Sequence, residues 1–188
     1  KQLLGFGLSP IREGLSRLIE SGLVEFNDNI GFNVVHISEE IIVDNYLSHI
    51  QLELLLLQES IENRTIEWEA AIMGALYQLS KIESRTTKVT YQIWYDYNDK
   101  FHSTLISNAK LCGLRRASEH FTTLVDWYHH LAYDDNRAEI IQTNHNEHKK
   151  LAQLVISGDA SVACSLLEQH MRQSLHYLLL RLKQKSII

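Results

Sequence analysis

The chain has 188 residues, 45% of them hydrophobic, and a formal net charge of −5, with one proline, eight glycines and two cysteines. That length and apolar fraction suit a globular protein, either one ordinary domain or a small domain joined to a larger one. The acid excess argues against binding nucleic acid by charge alone, because nonspecific DNA affinity comes from Lys and Arg neutralising phosphates, and no apolar run approaches the roughly 18 residues that cross a bilayer.

Scarce Pro and Gly beside abundant Leu, Ile, Glu and Gln lean the whole chain towards helix. The first residue is Lys1 rather than Met, and Lys1-Gln2-Leu3-Leu4 reads like the middle of a helix, so the native N-terminus is expected to be missing. Ser9 reads as a helix N-cap with Pro10 at the first helical position. Ile11, Leu15, Leu18 and Ile19 then recur at i, i+4, i+7 and i+8, and Gly22 closes the element. Leu23–Phe26 and Gly31–Val35 are β-prone runs separated by Asn27-Asp28-Asn29-Ile30, whose turn-forming residues predict a hairpin. A helix followed by a short hairpin is the order of a winged helix. The formal charge gives this part no help towards DNA: over residues 1–37, Lys1, Arg12 and Arg17 face Glu13, Glu20, Glu25 and Asp28.

From Ser38 the β signals vanish. Amphipathic segments predict helices at about 38–62, 65–84, 87–108, 111–133, 137–157 and 159–185. Short polar separators such as Glu62-Asn63-Arg64, Asp134-Asp135-Asn136 and Gly158-Asp159 predict helices that pack back on their neighbours. The expected fold is therefore mainly α: a partial winged helix-turn-helix with a hairpin wing at 1–37, its first helices missing, then an all-helical domain at 38–188 forming an antiparallel bundle of six or seven helices. Cys112 and Cys164 fit no metal or redox spacing and are expected to pack as small hydrophobes in a reducing cytoplasm.

Three of the ten histidines fall on apolar helix stripes. His102 lies with Phe101, Leu105, Ile106 and Ala109, and Asn98 shares that face one turn earlier. His148 aligns with Ile141, Leu151, Ala152 and Val155, and His170 with Val162, Ala163, Leu166, Leu167 and Leu178. A buried imidazole costs free energy unless it is hydrogen-bonded or coordinated. Three such rings on three helices point to a common centre, where imidazoles and the Asn98 oxygen suit zinc, nickel or another first-row divalent ion. Separate hydrogen-bonded core histidines are the alternative, since a sequence does not show that three helices meet. His36, His120, His129, His130, His145 and His176 are expected to be exposed or locally bonded, with His49 held in reserve.

The string Gly7-Leu8-Ser9-Pro10-Ile11-Arg12-Glu13-Gly14-Leu15, with Leu18, Gly22-Leu23-Val24, and Gly31 before Val34, resembles the recognition helix and wing of GntR-family transcriptional regulators. The second half is similar to the FCD-type effector domain of that family, through Asn98-Asp99-Lys100-Phe101-His102, Glu147-His148, Gly158-Asp159 with Ala163, and Gln169-His170. The resemblance implies a divalent metal held by Asn98, His102, His148 and His170, with asparagine where an aspartate is commoner. It implies an organic-acid effector docked on that metal, and places His49 where many relatives carry a pocket arginine. Asp99 points about 100° away on the same helix and is the less suitable ligand. It also implies a helix that enters the major groove of operator DNA with Ser9 and Arg12 at base edges and phosphates. Leu8 stands where many relatives have arginine, and Gly31 lets the wing approach the backbone. A cytoplasmic homodimer, usually a repressor released by its metabolite, is the family's habit. A helical metal-dependent hydrolase or lyase is the rival reading.

Overall fold

The computed structural model describes residues 7–84, 89–133 and 139–188. The helical reading of residues 1–4, the separator at 134–136, the first residues of the predicted 87–108 helix and the side chain of Ile141 lie outside the described residues.

Helix α1 spans Leu8–Glu20, beginning two residues earlier than expected: Gly7 occupies the N-cap in an extended conformation and Ser9 makes no capping bond. Pro10 tolerates the shift because all of the first turn's N–H groups lack intrahelical partners. At the other end the Gly22 N–H donates to the Ile19 carbonyl (2.9 Å) and the Leu23 N–H to the Leu18 carbonyl (3.0 Å), with Gly22 at φ +74°. This is the Schellman closure that a C-terminal glycine supplies. Strands β1 (Val24–Asn27) and β2 (Gly31–Val34) pair antiparallel with Phe26 opposite Phe32. The Asn27 side chain accepts from the Asn29 N–H at 3.0 Å, and Gly31 leaves the turn at φ +92°.

Among the described residues six further helices follow: α2 (Glu39–Glu62), α3 (Ile66–Glu83), α4 (Tyr91–Leu105), α5 (Cys112–Ala132), α6 (Glu139–Ser157) and α7 (Ala160–Gln184). Ser38, Thr65, Thr90 and Asp159 cap four of them by accepting from the N–H of Ile41, Trp68, Ile93 and Val162. Each such cap stabilises by about 1 kcal/mol.

The expectation that consecutive helices pack together holds for α3 with α4 and for α6 with α7, whereas α2 packs chiefly on α5 and α7, and α3 also on α6. An apolar stripe identifies the buried face of a helix without saying what covers it. Two groups of helices result, one of α2, α5 and α7 and one of α3, α4 and α6, and their shared core runs through Ile42, Ile50, Leu57, Leu79, Phe101 and Leu167. Of the two cysteines, Cys164 packs against the core as expected and Cys112 does not. Cys112 is exposed, and Cys164 is half-buried with its thiol 3.7 Å from the Leu54 carbonyl.

Gly158 ends α6 at φ +80°, and a Cβ there would sit 2.9 Å from Arg64 Nη1. Left-handed backbone costs a non-glycine residue about 1–2 kcal/mol. Gly158→Ala is therefore expected to lower the urea midpoint by a corresponding amount, with an unchanged slope.

Candidate functional site

Tyr95, Asn98, Asp99 and His102 recur on α4 at i, i+3, i+4 and i+7, the spacing of one helix face. At the His102 end this face meets α6 and α7, which contribute His148 and His170. The ring centroids stand 5.3 Å apart for His102 and His148, 5.2 Å for His102 and His170, and 5.0 Å for His148 and His170. One ligand nitrogen from each imidazole lies within 4.8 Å of the other two. The three inward-facing histidines selected from the sequence thus converge.

Second partners fix the direction of two rings. His148 Nδ1 lies 3.0 Å from Glu83 Oε1, and His170 Nδ1 lies 2.8 Å from Glu147 Oε2. A carboxylate accepts only, so these contacts hold the proton on Nδ1 and leave the Nε2 lone pair for the shared centre. Burial, then the neighbouring rings of His170, His148 and His49, holds the His102 imidazole well below the usual histidine range. Burial also lowers His148, against the opposing pull of Glu83. Both rings are therefore neutral near pH 7, the state in which imidazole binds metals.

His148 Nε2 and Asn98 Oδ1 are buried without a hydrogen-bond partner. Leaving such an atom unsatisfied costs about 1–3 kcal/mol. A divalent ion held by His102, His148 and His170 with Asn98 would satisfy both, so the residues present fit the group. Asp99 lines the adjoining cavity without joining the three-histidine cluster.

That cavity measures about 100 Å³ and lies between α2, α4, α5 and α7. His49 lines it from α2, 8% exposed, with burial lowering its pKa to about 4. Glu53, one turn on, is buried and accepts from Ser118 Oγ at 2.7 Å. Burial raises its carboxyl to about 7, against the opposing hydrogen bond from Ser118.

The sign of the resulting pH dependence follows from linkage. An acid whose folded pKa lies above its usual 4.5 binds more protons in the folded state, so its burden on stability grows from pH 4.5 and is complete above pH 7. Glu53→Gln is expected to relieve a penalty on the order of 3 kcal/mol. The gain over wild type, read from denaturant midpoints, is absent near pH 4, opens through pH 5–7 and levels off above.

Sequence reasoning passed over several of these groups. His129, expected to be exposed or locally bonded, is buried, its two nitrogens 3.5 Å from the Tyr46 hydroxyl and 3.3 Å from the Tyr91 hydroxyl. His145 Nδ1 reaches Glu83 Oε2 at 2.8 Å across helices. Glu83 itself carried a signal: with Ile72, Leu76 and Leu79 it follows i, i+4, i+7 and i+11 on an otherwise apolar face. Away from this centre, Leu8, Ser9 and Arg12 are exposed on the first turns of α1, and Gly31 sits at the wing turn. Gly22 rests on α5, where an added Cβ would lie 3.0 Å from His120 Cε1 and 3.7 Å from Leu124.

The model of the FCD domain family matches residues 46–173, a span that takes in Asn98 and all three histidines. The chain belongs to the FCD-domain family. It is 29% identical over 168 residues to the uncharacterized HTH-type transcriptional regulator BphR of Paraburkholderia xenovorans (strain LB400), over 88% of this chain and 68% of BphR. It is 25% identical over 168 residues to the HTH-type transcriptional repressor GlaR of Escherichia coli (strain K12), over 88% of this chain and 76% of GlaR. A transcriptional regulator of the GntR family from Pseudomonas syringae pv. tomato str. DC3000 shares the fold with a TM-score of 0.62, at 21% identity over 97% of this chain and 75% of that one. The FCD chain is accordingly a transcriptional regulator of the GntR type and not an enzyme, which removes the hydrolase or lyase reading. Among the described residues, no helix is long and apolar enough to cross a membrane.

Proposed function

We propose that this regulator is a cytoplasmic, homodimeric repressor that releases its operator when a small carboxylate metabolite enters the cavity beside the three histidines. The observation that carries the reading is the convergence of His102, His148 and His170 beside a cavity that α5 also lines and whose wall includes Asn98 with its orphaned side-chain oxygen. A divalent ion, when bound, supplies a Lewis-acidic anchor for a carboxylate. The chain's own residues do the rest: Glu83 and Glu147 orient two rings, and His49 and the tyrosines of the cavity wall select the shape of the acid.

Residues 1–37 form the DNA-reading part and 38–188 the sensing part. Ser9 and Arg12 meet base edges and phosphates, Leu8 lies beside them at the helix start, and Gly31 brings the wing to the backbone. Helix α5 couples the two parts. Thr122, Val125, Asp126 and His129 face the cavity, while His120 and Leu124 bear on Gly22 at the end of α1. An acid that binds one placement of α5 better than the other shifts the DNA-reading unit by that difference in affinity. The name of GlaR as a repressor supports the sign.

The test is selection of bound sequences from a random double-stranded library by the intact, metal-loaded gene product, followed by challenge with a panel of organic acids. A two-fold symmetric consensus, released by at least one acid, is the expected result. Failure to select a sequence, or a consensus indifferent to every acid, overturns the reading.

A further inference from the structure

The cavity has an unusual charge balance for a site that is to receive an anion. Three carboxylates line it, Glu53 from α2, Asp99 from α4 and Asp126 from α5, and among the described residues no lysine or arginine does. An acid with a second carboxylate would meet like charge at this wall, an arrangement that rejects it. The Tyr95 hydroxyl donates to Asp126 Oδ1, which holds that carboxylate in place and leaves it other lone pairs to fill. Tyr46, Tyr91, Trp94 and Tyr177 add aromatic faces, the surroundings in which ammonium groups are attracted by ring quadrupoles.

An independent sign of a missing polar partner comes from His49. Its ring is 8% exposed, it lines the same cavity, and its Nδ1 is buried without a hydrogen-bond partner. The cavity is also polarised along α4. His102, Asp99 and Tyr95 lie three and seven residues apart, so the acidic wall begins one turn from the imidazoles and extends about 10 Å to the Tyr95–Asp126 pair at 1.5 Å per residue.

Resting on the reading of this cavity as the effector site, we propose that the effector is a small ω-amino acid. Its carboxylate faces the three imidazoles, and its ammonium, a few carbons away, faces Asp99 and Asp126 with Glu53 behind them. The volume agrees, since a cavity of about 150 Å³ accepts benzene and this one, at about 100 Å³, accepts a short chain.

Four acids of equal carbon count isolate the tail group: 4-aminobutanoate, 4-hydroxybutanoate, butanoate and butanedioate, each titrated calorimetrically into the intact, metal-loaded protein. The expected order places 4-aminobutanoate first, at least about tenfold tighter than 4-hydroxybutanoate and butanoate, as a charge-assisted hydrogen bond implies, with butanedioate weakest. Asp126→Asn and Asp99→Asn are expected to erase most of the preference while butanoate binding is kept. Tighter binding of the hydroxy acid or the dicarboxylate overturns the ammonium inference and leaves the effector site standing. So does a preference for the amino acid that neither aspartate variant weakens. No binding of any of the four, with 3-aminopropanoate and 5-aminopentanoate also silent, overturns the inference together with the effector-site reading.

Discussion

Wild-type protein reloaded with zinc, nickel or manganese is expected to retain about one divalent ion per chain after dialysis, and a His148→Ala/His170→Ala variant none, as read by elemental analysis. The size of the effect follows from the donor set. Two of the three converging imidazoles disappear, and His102 with Asn98 cannot hold an ion against water. His148 is fully buried and Glu83 beside it has a side chain with no exposure, so the double variant leaves this buried carboxylate one imidazole partner short and also loses stability. His170→Gln provides the folded control. Its ring is at the edge of the cluster beside the partly exposed Glu147, so the bundle survives while one donor nitrogen is lost and metal retention falls. Stoichiometric metal in the double variant, or none in wild type under any loading, removes the metal-anchored mechanism.

Much of this centre was legible because its chemistry is written in helical periodicity. Asn98, His102, His148 and His170 could be selected because each lies on an apolar stripe, and a stripe is a local property of sequence. The six helices of the bundle were placed for the same reason, with most boundaries displaced by only a few residues. What could not be read is what faces what. Glu83 orients His148 across 65 residues of chain, His129 meets Tyr46 across 83, and Asp126 meets Tyr95 across 31. No spacing rule encodes such pairs. Glu53 shows the same limit from another side: its position on the buried face of α2 was available in the pattern, but its partner Ser118 and its place among the acids of the cavity depend on α5 packing against α2.

Glu83→Gln is expected to weaken metal binding by about 10- to 100-fold, the range found when a carboxylate behind a metal-binding histidine is removed. Glu83 accepts from His145 Nδ1 and His148 Nδ1, with the Trp94 indole N–H at 3.5 Å from the same oxygen that serves His148. Glutamine keeps the volume but replaces one acceptor oxygen by an NH₂ donor. Two imidazole N–H groups then compete for one carbonyl oxygen. If His148 yields, its proton moves to Nε2, and the lone pair that faces the cluster is lost. If His145 yields, His148 is held by a neutral amide and is a poorer ligand than before. Glu83→Ala separates this role from packing: it leaves both rings without an acceptor and opens a void, so it lowers apo stability as well as metal affinity. Competition against a graded chelator, paired with denaturation of the metal-free protein, reads the two effects apart. Wild-type metal affinity in Glu83→Gln would mean that the orientation of His148 is set by its packing against Phe101, whose ring lies 5.2 Å away, and not by the buried carboxylate.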